Sequence, residues 1–223
     1  MAFLIPGFLP EDTLERVHQL IPLLAWRDGK ETAGRLAKDQ KNNSQADLST
    51  RDGAKLRDLL TRAITNNTML QRIAWPKAFS KIIVSRAQDG GGYDWHTDDA
   101  LMTVRDGKLR SDLSFTLFLS PPDSYAGGAL EIHAHSGVNS YKPDSGDILI
   151  YPTKDLHRVA TVTRGSRIAC VGWIESQIRD ASHRETLFDL VNLRDTLQQT
   201  YAASSPEILT LSKTISNLIR AWS

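Results

Sequence analysis

The stretch Gly146-Asp147-Ile148-Leu149-Ile150-Tyr151-Pro152 predicts a buried β-strand, because four apolar residues stand between a glycine turn and a proline. Similar strands are predicted on both sides of it, over 81–85, 113–119, 129–133, 157–162 and 167–174. Turn residues such as Gly127-Gly128 and Arg164-Gly165 separate them. Short strands without intervening helices indicate an antiparallel sandwich or barrel.

Helical patterns flank this β region. Residues 10–24 and 56–64 predict helices in an N-terminal segment, 1–76, with a long polar loop over 27–50. The β core covers 77–177, and a C-terminal segment, 178–223, is again helical. In that segment Ser205 and Pro206 predict a helix start, and an apolar stripe predicts either core packing or a dimer seam: Ile208, Leu211, Ile215 and Ile219. The fold class is α+β, mainly β.

Composition excludes several classes of protein. The 223 residues carry 27 Lys plus Arg and 26 Asp plus Glu, a net charge of +1 that argues against a polyanion-binding role. The lone Cys170 excludes an internal disulfide and favours a reducing cytoplasm. We find neither an 18-residue apolar run nor a basic, apolar leader, so we expect no membrane span and no signal peptide.

His96 and Asp98 follow a glycine-rich turn within Tyr93-Asp94-Trp95-His96-Thr97-Asp98-Asp99. Residues two apart in an extended segment face the same way. His157 begins a later predicted strand. Two imidazoles and one carboxylate on one face leave three octahedral positions open, as in non-haem Fe(II) oxygenases. We predict these three as metal ligands and catalytic residues. The His-x-Asp pair by itself fits a polar loop equally well.

Arg167, ten residues after His157, suits the far carboxylate of a 2-oxoglutarate cosubstrate, because guanidinium is permanently charged and bidentate. In a simple hairpin Arg167 would lie beside Thr163, about 20 Å along the strand from His157. That is too far for a five-carbon diacid. The hypothesis therefore requires the chain to cross between two sheets at Arg164-Gly165. The alternative for Arg167 is a surface salt bridge.

A second set of metal-type residues alternates along one predicted strand: Glu131, His133 and His135. The His-x-His pair is similar to the cupin metal motif, although the glutamate of that motif is missing from residues 136–140. A solvent-facing histidine pair is the other interpretation.

With these residues in place, the chain resembles the bacterial PKHD-type hydroxylases, which are Fe(II)- and 2-oxoglutarate-dependent dioxygenases related to prolyl 4-hydroxylases. The resemblance covers nearly the whole chain. It rests on several motifs in order: Ile5-Pro6-Gly7-Phe8-Leu9, Lys41-Asn42-Asn43, residues 112–120, Ser124-Tyr125-Ala126-Gly127-Gly128, residues 146–157, Val162-Thr163-Arg164-Gly165 and residues 167–180.

The resemblance implies a double-stranded β-helix (jelly roll) with flanking helices. It implies an iron site at His96, Asp98 and His157, with Arg167 as the partner of the 2-oxoglutarate carboxylate. Ser114 falls where related prolyl hydroxylases place a threonine near that carboxylate. The implied cofactors are Fe(II), 2-oxoglutarate and O₂, with L-ascorbate as accessory reductant.

Two positions depart from the family pattern. Ala87 stands nine residues before His96, where the family usually has a tyrosine that helps to hold 2-oxoglutarate. Ala129 replaces the usual glutamate after Gly127-Gly128. Another group, such as Tyr93, could take over part of the binding.

The implied reaction is hydroxylation of an unactivated C–H bond with release of succinate and CO₂. The resemblance to prolyl hydroxylases favours a peptidyl or amino-acid substrate. Related bacterial proteins are associated with iron uptake, so a siderophore-like small molecule is a second candidate substrate and iron homeostasis a candidate role. The alternatives are a cupin-like isomerase and a non-catalytic metal-binding protein of the same fold. We expect no nucleic-acid or membrane partner, and a homodimer through the C-terminal helices.

Overall fold

The structure is a computed structural model that describes residues 2–32, 41–104, 107–134 and 137–223. Within those ranges the strands, in chain order, are β1 (Phe3–Ile5), β2 (Trp26–Asp28), β3 (Lys41–Asn42), β4 (Ser44–Ala46), β5 (Pro76–Phe79), β6 (Ile83–Gln88), β7 (Gly92–His96), β8 (Leu101–Val104), β9 (Gly107–Arg110), β10 (Leu113–Phe118), β11 (Tyr125–Gly127), β12 (Leu130–Ala134), β13 (Gly137–Tyr141), β14 (Ile148–Pro152), β15 (His157–Val159) and β16 (Val162–Ser176). The α-helices are α1 (Glu11–Leu20), α2 (Arg51–Asn66), α3 (Thr68–Ala74), α4 (Ala181–Leu197) and α5 (Pro206–Trp222).

Two facing sheets form the core. The larger follows the order β1-β14-β10-β16-β6-β4-β2, with β5 and β11 also paired to β16. The smaller follows the order β13-β12-β15-β7-β3, and β8 and β9 form a separate hairpin. This arrangement confirms the predicted mainly β core with flanking helices.

The large sheet is covered on both faces, which explains why every residue of β10 and β14 is buried. Phe115 and Leu117 of β10 belong to a core that includes residues of α1, α2 and α3. Phe118 faces the other way and packs with Leu130 of the small sheet. Because strand side chains alternate, Ser114 and Thr116 also face the small sheet. The space between the two sheets is therefore where polar side chains of the core meet.

The N-terminal segment contributes strands to both sheets. The sequence predicted a long loop over 27–50. This prediction is wrong at β2, β3 and β4. These strands have two or three mostly polar residues each, which is too few to show the alternation typical of a strand. β3 pairs with β7 of the small sheet, whereas β4 pairs with β6 of the large sheet. The chain thus passes from one sheet to the other at Asn43. The helix α3 was also not predicted.

The chain crosses between the sheets a second time between β15 and β16. β15 belongs to the small sheet and β16 to the large one, which confirms the crossing that the 2-oxoglutarate hypothesis required. Its predicted position, Arg164-Gly165, is wrong: both residues already pair with β11. The crossing lies at Ala160 and Thr161. The backbone N–H of Ala160 still donates to the Ala129 carbonyl (2.9 Å), and that of Val162 donates to Gly91 (2.8 Å).

The C-terminal helices pack on one another. Ser205 caps α5 by accepting a hydrogen bond from the Ile208 amide, with Pro206 next, as predicted. Ile215 packs with Leu187 and Val191 of α4. The apolar stripe of α5 is therefore core within one chain. Among the described residues, no helix has the length and apolar character needed to span a membrane.

Candidate active site

The three predicted metal ligands meet between the two sheets. His96 ends β7 and pairs directly with His157, the first residue of β15. Asp98 follows two residues after β7, with one carboxylate oxygen 3.7 Å from His96 Nε2 and the other 3.5 Å from His157 Nε2. Their ligand atoms all lie within 4.8 Å of one another, and no other group of three such residues occurs in the described ranges.

Backbone carbonyls orient both imidazoles. His96 Nδ1 lies 2.7 Å from the Asp94 carbonyl, and His157 Nδ1 lies 2.9 Å from the Asp155 carbonyl. A carbonyl only accepts, so each Nδ1 carries the proton and each Nε2 presents a lone pair to the cluster. Both rings are thus held in the tautomer that a metal ion requires.

Burial lowers the pKa of His96 to about 4, and the neighbouring His157 acts in the same direction. The Asp94 hydrogen bond and the Asp98 charge oppose this shift without cancelling it. At neutral pH His96 is therefore uncharged and does not have to lose a proton before binding a cation. The donor set and its protonation state fit an iron ion.

Asp98 is itself held by two donors on the facing sheet. Its Oδ2 accepts from Trp173 Nε1 (2.8 Å) and from the Ser114 hydroxyl (2.9 Å). Ser114 and Trp173 are directly paired between β10 and β16, so both side chains reach the same carboxylate. Ser114, predicted beside the cosubstrate, lies beside Asp98. The contact between Trp173 and Asp98 was not predicted. The alternation of β16 indicates only that Trp173 shares a face with Arg167 and does not identify Asp98 as its partner.

We expect Trp173→Phe to weaken metal binding about 10-fold to 100-fold, the usual effect of removing a partner of a metal ligand. The change leaves a similar ring in place and removes one of the two donors to Asp98. Anaerobic titration with Fe(II) or Co(II) measures the effect, with Trp222→Phe at the end of α5 as the matched control. Unchanged affinity in Trp173→Phe would mean that Ser114 alone orients Asp98.

Arg167 is buried in the same cavity, with 3% of its surface exposed. Its Nε and Nη2 have no hydrogen-bond partner in the described part of the chain. The Phe118 ring lies 5.4 Å from the guanidinium carbon. A buried, unpaired cation is costly. Arg167 is therefore not the surface salt bridge that was its alternative, and its environment fits a bound anion.

The sequence suggested Tyr93 as a tyrosine that could help to bind 2-oxoglutarate, but other tyrosines interact with Arg167. Tyr93 stacks on the His96 ring, with centroids 3.5 Å apart. Ala87 lies directly opposite Arg167 on β6 and packs with Tyr125. Tyr125 and Tyr151 are the tyrosines that interact electrostatically with Arg167. Burial raises the pKa of the Tyr125 hydroxyl, whereas the charge of Arg167 and a side-chain hydrogen bond with it act in the opposite direction. The one sequence feature that pointed to Tyr125 was its position two residues before Gly127-Gly128.

The alternative metal set does not assemble in the described residues. Glu131 forms a salt bridge with Arg158 at 2.7 Å. His133 is exposed, and its ring meets the edge of Trp95 with centroids 6.5 Å apart. His135 lies outside the described residues.

The cavity around the ligand cluster measures about 730 Å³, including its open mouth. His96, Asp98, His157 and Arg167 all line it. One cavity therefore reaches both the His-Asp-His cluster and the buried guanidinium of Arg167.

Comparisons with known proteins agree with this geometry. The profile of the 2OG-Fe(II) oxygenase superfamily matches residues 82–175. A PKHD-type hydroxylase of Hyphomonas neptunium is 46% identical over 98% of both chains, and one of Synechococcus elongatus is 40% identical over the whole of both. Among solved structures, a Pseudomonas putida prolyl-4-hydroxylase is similar with a TM-score of 0.52, 14% identity and coverage of 78% of this chain and 92% of its own. A Trichoplax adhaerens prolyl hydroxylase, solved with a peptide of hypoxia inducible factor, is similar with a TM-score of 0.55 and 17% identity. The match covers 79% of this chain and 84% of its own.

The two-sheet core and its structural neighbours define a double-stranded β-helix of the 2-oxoglutarate oxygenase class, as predicted. Within that class, the chain belongs to the PKHD-type hydroxylase family. It is a 2-oxoglutarate-dependent dioxygenase that uses Fe(II), 2-oxoglutarate and O₂ and acts on a small-molecule or peptidyl substrate.

Proposed function

We propose that His96, Asp98 and His157 hold the catalytic Fe(II) and that Arg167 binds the distal carboxylate of 2-oxoglutarate. The observation that supports this most strongly is a single cavity lined by both a compact His-Asp-His cluster and a buried arginine with unpaired guanidinium nitrogens. The matched family profile lies within 77–177, which we propose as the catalytic core. The segment 1–76 completes both sheets of this core through β1 to β4, and we propose that the segment 178–223 packs on it.

Each side chain has a defined task in this proposal. The backbone carbonyls of Asp94 and Asp155 keep the imidazole Nε2 atoms directed at the metal position. Trp173 and Ser114 fix Asp98 by donating to one carboxylate oxygen. That contact fixes the rotation of the carboxylate. The three ligands occupy one side of the metal position, so the cavity side stays open to small molecules.

When bound, iron and 2-oxoglutarate supply the oxidising chemistry, in which O₂ is consumed, succinate and CO₂ are released and one oxygen atom is inserted into a C–H bond. Apolar side chains of this chain limit the water around the site. Leu130 and Val159 line the cavity, and Tyr151, at the edge of the His157 ring, is itself buried. Burial also raises the pKa of the Tyr93 hydroxyl to about 12, so Tyr93 stays protonated beside His96.

Anaerobic addition of Fe(II) and 2-oxoglutarate is expected to give a visible metal-to-ligand charge-transfer band. His96→Ala should lose the band, and the wild type should form succinate in air above the His96→Ala background. No band, with zinc or nickel retained instead, would support the cupin-like alternative. Equal succinate in both proteins would support a non-catalytic metal-binding protein.

The remaining assignments are also proposals. L-Ascorbate would keep the iron reduced, the location is cytoplasmic, and a role in iron homeostasis follows from the resemblance. The net charge of +1 argues against nucleic-acid and membrane surfaces as partners. Since the α5 stripe packs on α4, a homodimer through these helices would have to use exposed residues such as Leu193 and Leu209. Light scattering at the monomer mass would exclude the dimer.

A further inference from the structure

The cavity extends beyond the ligand cluster to one edge of the sandwich. β3 is the last strand of the small sheet, and β4 is next to last in the large sheet. The chain closes this edge where it passes between the sheets at Asn43. The cavity lining here is polar, and we define it as the polar recess: Lys41, Asn43, Gln45 and Ser85. Ser85 lies one strand and Gln45 two strands from that of Arg167 in the large sheet, so the recess extends away from the proposed 2-oxoglutarate position.

Lys41 places a cation in the polar recess. Only 9% of the residue is exposed, and its Nζ lies 5.6 Å from the centre of the Tyr93 ring. No salt bridge or hydrogen bond joins this ammonium group to a described residue. Burial lowers the pKa of Lys41, whereas the more distant Asp98 and Asp28 raise it. A buried lysine without a contacting anion is costly to the folded protein, and a bound anion would remove that cost.

A hydroxyl group in the recess is also available to an anion. The Asn43 side-chain amide donates to the Ser85 hydroxyl at 2.6 Å. Ser85 therefore accepts one hydrogen bond from the protein while its own proton remains free to be donated. An ammonium and a hydroxyl donor together provide the complement of a carboxylate.

The charges of the cavity leave Lys41 unbalanced. Among the described residues, the charged side chains that line the cavity are the cations Lys41 and Arg167 and the anion Asp98. The proposed Fe(II) and the doubly charged 2-oxoglutarate cancel one another, and Asp98 offsets Arg167. The remaining positive charge is that of Lys41, and one carboxylate group placed in the recess would neutralise it. The backbone of an interior peptide residue is neutral and, unless the side chain is acidic, would leave this charge unpaired.

We propose that the polar recess binds a carboxylate of the substrate, so that the enzyme hydroxylates a small carboxylic acid, such as a free amino acid, in preference to an interior residue of a peptide. This inference rests on the proposed function and assigns the substrate class for the same site. Lys41 is the specificity-determining residue, and Ser85 supplies the second donor.

Matched probes test the proposal directly. Free L-amino acids and their carboxamides, for example proline, lysine, leucine and asparagine, differ only in the group that the polar recess would bind. Calorimetry on the anaerobic protein loaded with Fe(II) and 2-oxoglutarate gives both dissociation constants. In the wild type, at least one acid is expected to bind about tenfold or more tightly than its amide, the effect of one charge-assisted hydrogen bond.

Lys41→Met should reduce that ratio to below about threefold, because the charge is lost while the side-chain length is kept. Lys41→Arg should retain part of the preference. Lys213→Met, which removes an exposed charge on α5, should keep the wild-type ratio. The dissociation constant of 2-oxoglutarate, read from the charge-transfer band, should change by less than about threefold in Lys41→Met if the recess is separate from the Arg167 position.

Two results would overturn the inference. One is a wild-type protein that binds no acid more tightly than the corresponding amide, including the case in which no probe binds. This comparison uses the wild type alone and does not depend on the folding of any variant. The other is a Lys41→Met protein with weakened 2-oxoglutarate binding and an unchanged acid-to-amide ratio, which would assign Lys41 to the cosubstrate. A missing charge-transfer band in the wild type would instead reject the proposed function, so the two failures are distinguishable.

Discussion

Asp98→Ala is expected to lower Fe(II) affinity more than about 100-fold and to abolish succinate formation. Loss of an outer partner of a metal ligand already costs about 10-fold to 100-fold, and this change removes a charged ligand itself. It also leaves Trp173 Nε1 and the Ser114 hydroxyl without their acceptor. Anaerobic Fe(II) titration and a succinate assay measure the two effects.

The adjacent carboxylate provides the control. Asp99 is exposed and lies outside the His-Asp-His cluster, so Asp99→Ala should bind Fe(II) within about threefold of the wild type. If Asp98→Ala bound Fe(II) within tenfold of the wild type, the assignment of Asp98 as a ligand would be rejected.

Arg167→Met is expected to weaken 2-oxoglutarate binding about 100-fold or more while leaving Fe(II) affinity within about threefold. Truncating one member of a buried charge pair typically costs about 2–5 kcal/mol, and methionine fills most of the space without supplying a charge. Titration of the charge-transfer band gives the 2-oxoglutarate dissociation constant, and Fe(II) is titrated separately.

Stability separates a binding role from a structural one. Without cosubstrate, Arg167 is a buried cation whose Nε and Nη2 lack partners, so Arg167→Met should not lower the Tm of the ligand-free protein. Arg164→Met, an exposed position on the same strand, should match the wild type in all three measurements. Equal loss of Fe(II) and 2-oxoglutarate affinity in Arg167→Met would contradict the assigned role.

The His-Asp-His cluster could be predicted because its pattern is local. His96 and Asp98 are two residues apart in an extended segment, and His157 begins a strand with clear turn signals before it. The prediction for Arg167 needed one further assumption, because Arg167 can lie near His157 only if the chain crosses between the two sheets. That crossing exists, but at Ala160 and Thr161, because turn residues such as Arg164-Gly165 also occur where a long strand pairs with a short one.

The second layer of the site could not be predicted from local pattern. Trp173 reaches Asp98 only because β16 and β10 pair in one particular register. Lys41 and Gln45 enter the cavity from strands of two and three residues, which are too short to show a period. Tyr125 lies beside Arg167 because β11 pairs with the start of β16. Such contacts depend on long-range pairing between strands.

One strand, β16, carries both Arg167 and Trp173, six residues apart on the same face. It pairs with β10 over residues 169–174 and with β6 over residues 166–171, so a neighbouring strand holds every position between Arg167 and Trp173. A single inserted or deleted residue between these two positions would turn one of them to the helix-covered face. In evolutionary terms, this stretch can change its side chains but not its length. Changes in chain length are therefore expected in the turns that flank β16 and not between these two residues.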